Sequence, residues 1–191
     1  MKTSHQSQDV APRPETLRLF YAIFVPRNLR PLLEEAQRKL KGYRNWKPTP
    51  PEQLHLTLMF LGEVATERLD EVTKAGEAVA RQVAPFTLRI GGTGYFPPDG
   101  TPRVWFVKAE GAGLEPLAVR LRAALPDLDD AKPFKAHITL ARRKGPAPRV
   151  GPVVLDQAFE VRKISLVRSE LSPKGSLYHV LREFELKGRE A

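Results

Sequence analysis

Two four-residue phrases of this chain nearly repeat each other, and both contain residues that can take part in catalysis. They are His55-Leu56-Thr57-Leu58 and His137-Ile138-Thr139-Leu140. Successive side chains of a β-strand point to opposite faces. If each phrase is a strand, its aliphatic residues share a buried face, and its histidine and threonine share the other. The same alternation predicts that Met59 and Ala141 lie on the histidine faces.

Such a set of polar side chains, lining one groove, could act on a phosphate. Histidine has an ordinary pKa of about 6.5, so it can accept or donate a proton near neutral pH. One imidazole could take a proton from an attacking water while the other gives one to the departing oxygen. The threonine hydroxyls could donate to non-bridging phosphate oxygens, whose charge grows in the transition state.

Other interpretations of the two histidines stay open at this point. A single histidine in a strand is more often a structural residue held by hydrogen bonds. Two histidines with a nearby acid could instead hold zinc, and Glu52 and Glu63 flank the first phrase. Neither phrase has the helical His-x-x-x-His spacing of many zinc enzymes. Of the remaining histidines, His179 lies in the last predicted strand and His5 near the N-terminus, where neither suggests catalysis.

The composition narrows the possible chemistry and points to a polyanionic partner. The 191 residues include no cysteine, which excludes disulfides, thiolate metal sites and cysteine nucleophiles. Lysine and arginine number 31 against 22 acidic residues, a net charge of +9 that favours nucleic acid as the partner. The polar N-terminus lacks the apolar stretch of a signal peptide, and no run is apolar enough to cross a membrane. We therefore expect a cytoplasmic protein, with a monomer as the default.

The elements around the phrases predict an α+β fold. Hydrophobic periodicity and turn residues indicate helices over 31–41, 66–83 and 114–125, and strands over 17–25, 54–61, 86–96, 103–109, 136–141, 159–171 and 176–186. Gly62 is expected to close the second strand, and Thr66 to cap the second helix. One phrase falls in each half of the chain. We therefore expect a bilobal, pseudo-symmetric fold with two largely antiparallel sheets flanked by helices and a central groove.

The paired phrases and their surroundings resemble the RNA 2′,3′-cyclic phosphodiesterases, also called 2′-5′ RNA ligases, of the two-histidine phosphoesterase superfamily. The signature of that family is a pair of His-x-Thr-x motifs, matched here at 55–58 and 137–140. Further family-like positions are 18–23, Trp46, 60–63, 103–105 and 141–142. The resemblance spans roughly 16–187, which we expect to form a single bilobal phosphoesterase domain after a disordered leader over 1–15.

The resemblance implies metal-free hydrolysis of an RNA 2′,3′-cyclic phosphate to a 2′-phosphomonoester. It implies that His55 donates a proton to the leaving 3′-oxygen and that His137 activates the water. It also implies that Thr57 and Thr139 hold the phosphate. Arg142, directly after the second predicted strand, is a candidate phosphate clamp, with a solvated arginine as the competing interpretation.

The family name also implies 2′-5′ RNA ligation, in which an RNA 5′-hydroxyl replaces water and no cofactor is needed. Consistent with this, the glycines at 91–94 lack the lysine and the helix of a phosphate-binding loop. Two alternatives remain: a related phosphodiesterase with another substrate, and an RNA-binding module without catalysis. The expected partner is RNA with a 2′,3′-cyclic phosphate end, for which tRNA fragments are one candidate. Single-stranded RNA ends are commonly held by aromatic stacking. The candidates are Trp46, Phe96, Trp105 and Tyr178, for each of which core packing is the competing role.

Overall fold

The structure, a computed structural model, describes residues 15–189. Within that range it contains nine strands and three α-helices, with short 3₁₀ turns beside the helices and one at Pro51–Gln53, directly before the strand of the first phrase. The strands are β1 (Thr16–Phe24), β2 (Trp46–Pro48), β3 (His55–Ala65), β4 (Phe86–Phe96), β5 (Val104–Glu110), β6 (His137–Arg143), β7 (Gln157–Val161), β8 (Lys163–Ser172) and β9 (Gly175–Glu185). The helices are α1 (Arg30–Gln37), α2 (Leu69–Ala80) and α3 (Leu114–Ala124). The α+β class is confirmed.

The strands form a single antiparallel sheet, and this corrects the expectation of two separate sheets. Its order is β7-β4-β5-β6-β3-β1-β8-β9, and β2 pairs with β6. The sheet divides into a first lobe (β3, β1, β8, β9) and a second lobe (β6, β5, β4, β7), each with one phrase on its innermost strand. The pair Leu56–Ile138 joins β3 to β6 and so makes the sheet continuous.

Arg162 alone separates β7, at the outer edge of the second lobe, from β8 in the interior of the first lobe. Because one residue spans only about 3.5 Å, the sheet must curl to bring these two strands together.

The helices pack on one face of the sheet and bury the apolar side chains of the core. The pattern in α2 places Val72, Gly76 and Val79 on one side, all buried, and that helix packs against β8 and β9. Gly76 allows this close packing, because a Cβ atom there would lie 2.7 Å from the Phe184 ring and 2.8 Å from the Tyr21 ring. Leucines at helical spacing do the same for α3, which packs against β3. Fully burying such a side chain contributes about 1.5–3 kcal/mol.

Several element boundaries differ from the sequence-based expectations. Gly62 does not end the second strand; it adopts φ +70° and the strand continues through it as an irregularity in the pairing with β1. The strand expected over 159–171 is split at Arg162 into β7 and β8. The short strand β2 lies between the first helix and the strand of the first phrase, where no strand was expected. Thr66 begins a 3₁₀ turn and makes no side-chain cap for α2.

The described residues include both ends of the expected domain over 16–187. The expected leader lies, apart from Glu15, outside the described residues. At the other end, the backbone N–H groups of Lys187 and Gly188 donate to the carbonyls of Ala80 and Val83. No helix between residues 15 and 189 is long and apolar enough to cross a membrane.

Candidate active site

The pair Leu56–Ile138 determines which way the two phrases face. Both side chains are 1% exposed and lie in the core. Directly paired residues of antiparallel strands point to the same side, so their neighbours along each strand point to the opposite side. His55, Thr57, His137 and Thr139 are accordingly partly buried side chains on the face away from the helices. The predicted alternation is confirmed for these four residues, and the sheet brings both phrases side by side.

A β-bulge at the last residue of each phrase changes the alternation beyond it. In the first lobe Thr57 pairs with Ala22 but Met59 pairs with Tyr21, so Leu58 is an extra residue. Met59 therefore turns into the core and is 3% exposed. The prediction that Met59 lies on the histidine face was wrong, because the alternation was extended across this bulge.

The second lobe repeats the same bulge. Thr139 pairs with Phe106 but Ala141 with Trp105, so Leu140 is the extra residue and Ala141 is buried. The prediction for Ala141 was wrong for the same reason. The shift returns Arg142 to the histidine face, inside β6 and not after it as the sequence suggested. The bulge thus turns a side chain five positions after His137 toward the imidazoles.

Both imidazoles are oriented by the same backbone contact. Nδ1 of His55 lies 2.6 Å from the carbonyl oxygen of Gln53, and Nδ1 of His137 lies 2.6 Å from that of Lys135. A carbonyl oxygen can only accept, so each Nδ1 carries the proton and donates it. Each Nε2 atom is then left with a lone pair for chemistry. Nε2 of His55 also lies 3.1 Å from the Thr57 hydroxyl.

Aromatic rings enclose each histidine. His55 has three of them around it, with ring centroids 5.2 Å away for Phe20, 5.8 Å for Phe24 and 5.4 Å for Tyr178. His137 meets Phe96 at 4.9 Å and Phe106 at 5.4 Å, both edge to face. These rings shield both imidazoles from water, and burial is the largest cause of their lowered pKa values.

The aromatic candidates from the sequence divide into two pairs. Phe96 and Tyr178 lie at the histidines, as just described. Trp46 and Trp105 are 8% and 0% exposed and belong to the core, and the Trp46 indole donates to the carbonyl of Pro148 at 2.9 Å. Sequence reasoning missed Phe20, Phe24, Phe106 and Arg18. Alternation along β1 could have found three of them, because Arg18, Phe20 and Phe24 are spaced for one face.

The electrostatics of the groove favour neutral imidazoles in the free protein. The pKa of His55 is lowered to about 4, chiefly by burial and also by the charges of Arg142 and His137, while the hydrogen bond to Gln53 opposes this shift. Burial, followed by Arg142, also lowers the pKa of His137 below its ordinary value of 6.5. Burial raises the pKa of Tyr178, opposed by Arg142 and Arg18. Arg142 therefore lies close enough to three groups of the groove to act on their charge.

The residues that could have supplied a metal site are dispersed. Between residues 15 and 189 no three histidine, aspartate or glutamate side chains cluster as metal ligands. Glu63 is exposed and accepts a hydrogen bond from the Thr16 hydroxyl at 3.0 Å, and Glu52 is also exposed. His179 lies on β9 with its Nε2 3.5 Å from a Glu170 oxygen. The two central histidines thus stand without an acidic partner from either flank.

A cavity of about 640 Å³ has Phe24, a ring that contacts His55, in its lining, but neither phrase nor Arg142 lines it. It runs between β7 of the second lobe and the strands β1, β8 and β9 of the first. Its lining combines both charges, with Arg27, Lys163 and Glu183 among the residues. This cavity is therefore distinct from the groove face that carries the two histidines.

Comparison with known proteins gives a consistent assignment. Residues 23–106 match the family model of the LigT-like phosphoesterases. The chain is 54% identical to an RNA 2′,3′-cyclic phosphodiesterase of Thermus thermophilus over 181 residues, 90% of this chain and 91% of that protein. It is 37% identical to the Archaeoglobus fulgidus protein of the same name, covering 88% of this chain and all of that one.

Solved structures agree with these sequence matches. A crystal structure of a Thermus thermophilus protein superimposes with a TM-score of 0.88 at 52% identity, covering 91% of this chain and 100% of that one. Escherichia coli LigT in complex with 3′-AMP superimposes with a TM-score of 0.76 at 27% identity, covering 90% and 99%. With its paired motifs on one face of a shared sheet, the chain belongs to the RNA 2′,3′-cyclic phosphodiesterase family of LigT-like phosphoesterases.

Proposed function

We propose that this protein hydrolyses RNA 2′,3′-cyclic phosphate ends to 2′-phosphomonoesters without a metal ion. The observation that supports this most directly is the matched pair of imidazoles. Each donates Nδ1–H to a backbone carbonyl, which leaves Nε2 as the unprotonated nitrogen, and both lie on one face of one sheet near Arg142. Two such nitrogens can serve as the base and the acid of one displacement.

The proposed step moves two protons and exchanges one bond to phosphorus for another. Water attacks the phosphorus while Nε2 of His137 takes its proton. The bond from phosphorus to the 3′-oxygen breaks, and a protonated His55 gives its Nε2 proton to that oxygen. The 2′-oxygen keeps the phosphate. The division of roles follows the family resemblance, since the two motifs are too alike to distinguish the acid from the base.

The proton on His55 depends on the substrate. The pKa of His55 is about 4 in the free groove, so the acid form is scarce at neutral pH. The cyclic phosphate carries a negative charge, and a nearby negative charge raises the pKa of an imidazole. Binding of the anion next to Arg142 also offsets the positive charge that disfavours protonation of His55. The substrate therefore helps to create the acid that its own cleavage requires.

Thr57, Thr139 and Arg142 complete the proposed phosphate site. Each threonine lies two residues from its histidine on the same strand face, where its hydroxyl can donate to a phosphate oxygen. A guanidinium can donate two parallel hydrogen bonds to one phosphate. Hydrogen bonds to a charged group contribute about 1.5–3 kcal/mol each, and these three donors would meet the charge that grows in the transition state.

RNA is the proposed partner, and the groove offers contacts for it beyond the phosphate. Lys108 pairs with His137 across β5 and β6, so its exposed side chain lies on the groove face. Lys135 Nζ lies 5.4 Å above the Phe96 ring, and Arg18 lies 4.9 Å from the Phe60 centroid. Cations beside aromatic rings suit a backbone phosphate and a stacked base. We place the enzyme in the cytoplasm as a monomer, with 16–187 as its domain.

The same centre would support ligation if an RNA 5′-hydroxyl took the place of water. His137 would take the proton of that hydroxyl, and the product would be a 2′-5′ linkage. The cyclic phosphate is already strained, so no nucleotide cofactor enters this step. Hydrolysis and ligation would then differ only in which oxygen occupies the attacking position.

The deciding experiment incubates the protein and EDTA with a short RNA ending in a 2′,3′-cyclic phosphate. Phosphorus NMR should show a 2′-phosphomonoester at an undiminished rate. A 3′-phosphomonoester would reverse the leaving group, and loss of activity with EDTA would require a metal mechanism. Binding without turnover would favour the RNA-binding module, and turnover confined to a cyclic ADP-ribose phosphate would change the substrate.

A further inference from the structure

Gln53 makes two hydrogen bonds that connect the first histidine to a distant part of the chain. Its backbone carbonyl accepts the Nδ1–H of His55 at 2.6 Å. Its side-chain Nε2 donates to the carbonyl of Ser176 at 2.8 Å, near the start of β9. Gln53 is partly buried between these two contacts. It therefore lies between the imidazole and the tip of the β8–β9 hairpin.

Hydrogen bonds fix the tip of the β8–β9 hairpin in its position beside Gln53. Lys47 Nζ donates to the carbonyl of Lys174 at 2.6 Å, two residues before Ser176. Gly175 has φ +130°, and a Cβ there would lie 2.5 Å from Lys47 Nζ, so glycine suits both the turn and the contact. The Ser172 hydroxyl donates to the Gly175 carbonyl at 2.7 Å. The tip is thus fixed beside residues 47–53 from both of its sides.

The same hairpin also supplies a wall of the histidine pocket. Tyr178, two residues after Ser176 on β9, meets His55 edge to face at 5.4 Å and 85°. His55 therefore depends on β9 twice, through the Gln53 amide and through the Tyr178 ring. A shift of the tip would move the accepting carbonyl and the packing ring together.

The second histidine has a different support. The residue two positions before His137 is Lys135, whose carbonyl accepts Nδ1–H in the same way. The Lys135 side chain, however, is exposed and its Nζ lies over the Phe96 ring. The two motifs are alike in their backbone contact but differ in what holds the residue that provides it.

We propose that Gln53 is a positioning residue for His55, acting through its side-chain bond to Ser176. This inference rests on the proposed function, in which His55 handles the proton of the leaving oxygen. The bond fixes the Gln53 carbonyl and the carbonyl keeps the proton on Nδ1, so Nε2 remains the unprotonated nitrogen, beside the Thr57 hydroxyl. Without it, the imidazole gains access to its other tautomer and to a second orientation.

The test replaces Gln53 by methionine, which has a similar length and no donor. ¹⁵N NMR of the free enzyme should show His55 as the Nδ1–H tautomer in the wild type and as a mixture in Gln53→Met. His137 is the internal control and should keep its tautomer in both. With a cyclic-phosphate RNA, kcat should fall about 10- to 100-fold, because small misplacements of a reacting group carry penalties of this size. KM should change less than about threefold.

Two further variants keep the test decisive. Gln53→Glu preserves the shape and removes the donor, so it should reproduce both effects even if the methionine variant fails to fold. Glu52→Gln changes the exposed neighbouring side chain and should leave tautomer and kcat unchanged. An unaltered His55 tautomer with kcat within about twofold of wild type would overturn the proposal and leave the 3₁₀ turn at 51–53 as sufficient support. The NMR measurement of the His55 tautomer needs no turnover, so it tests the role of Gln53 even if the proposed hydrolysis is not observed.

Discussion

Leu56 and Ile138 pair across β3 and β6, and this contact joins the two lobes into one sheet. The strands are antiparallel, so an approximate twofold axis through the pair exchanges the first phrase with the second. The axis explains why two similar phrases, far apart in the chain, face one groove from its two sides. Opposite positions of this kind suit an in-line displacement at phosphorus, where the attacking and leaving oxygens lie on opposite sides.

Both histidines should be essential for hydrolysis of a cyclic-phosphate RNA. We expect His55→Asn and His137→Asn each to lower kcat about 10²–10⁴-fold, the usual contribution of a positioned acid or base. Circular dichroism should show a folded protein in both cases. His179→Asn is the matched control, because His179 lies on β9 beside Glu170, and it should hydrolyse at the wild-type rate. Near-normal rates in both central variants would remove the proposed mechanism.

The threonine hydroxyls should contribute separately from their methyl groups. Thr57→Val and Thr139→Val keep the size of the side chain and remove a donor to the phosphate. Each should lower kcat/KM about 10- to 100-fold, as expected for one hydrogen bond to a charged group. Thr57→Ser and Thr139→Ser keep the hydroxyl and should retain most of the activity. Equal rates for the valine and serine variants would show that the hydroxyls do not touch the phosphate.

Arg142 should control both the binding of the phosphate and the pKa values of the histidines. Its charge lowers the pKa of His55 and of His137, so Arg142→Gln should raise both pKa values. NMR titration of the imidazole C–H signals in the free protein measures this shift directly. The same variant should lower kcat/KM about 10- to 100-fold through loss of a charged hydrogen bond.

The control for this prediction is Arg143→Gln. Arg143 follows Arg142 on the same strand and pairs with Trp46, so consecutive positions place it toward the other face. Its replacement should leave both histidine pKa values in place. Equal shifts in the two variants would mean that the effect comes from net charge alone and not from the position of Arg142.

The sequence was sufficient to predict the paired strands because period-2 alternation is local. Leu56 and Ile138 are apolar and buried, and the polar residues beside them face away, as the alternation requires. It was not sufficient beyond the fourth residue of either phrase. Leu58 and Leu140 are aliphatic like any core residue, and nothing in their type marks them as bulges. The bulges depend on how β1 and β5 pair with the two phrases, a long-range property of the sheet.

The support of His55 by Gln53 could not be predicted from the sequence either, because it too depends on a long-range contact. The contact joins residues 53 and 176, more than a hundred positions apart, and depends on where the hairpin tip falls. The aromatic walls were partly accessible, since Phe20 and Phe24 follow the alternation of β1. Phe106 required knowing that β5 lies beside β6, which the order of elements along the chain does not establish.

Stability should depend on pH through His55. Its pKa is about 4 in the folded protein against 6.5 for an ordinary imidazole, so between these values the unfolded chain binds a proton that the folded chain does not. This contribution to the free energy of unfolding is complete above about pH 6.5 and declines as pH falls toward 4, by at most about 1.4 kcal/mol per pH unit. Urea unfolding of wild type and His55→Gln from pH 4.5 to 7.5 measures the difference. Two parallel curves would contradict the lowered pKa.

Gly94 should matter because the Phe106 ring lies directly on it. A Cβ atom at Gly94 would be 2.8 Å from Cζ of Phe106, and that ring stacks on Phe96 at 4.2 Å and meets His137 at 5.4 Å. Gly94→Ala should therefore displace the ring, at a cost of about 1–3 kcal/mol for overpacking. Because the ring forms one wall around His137, kcat should fall as well.

The companion change Phe106→Leu separates the clash from a general effect on the strand. A smaller side chain leaves space above residue 94. The double variant should therefore lose less stability than the sum of the losses in the two single variants, and urea unfolding measures this difference as a coupling energy. Additive losses would place the effect in the backbone of β4 instead of in the ring. Gly91→Ala on the same strand is the control, because a Cβ there meets no atom within 4 Å. This control should leave the hydrolysis rate unchanged, whereas Gly94→Ala should lower it.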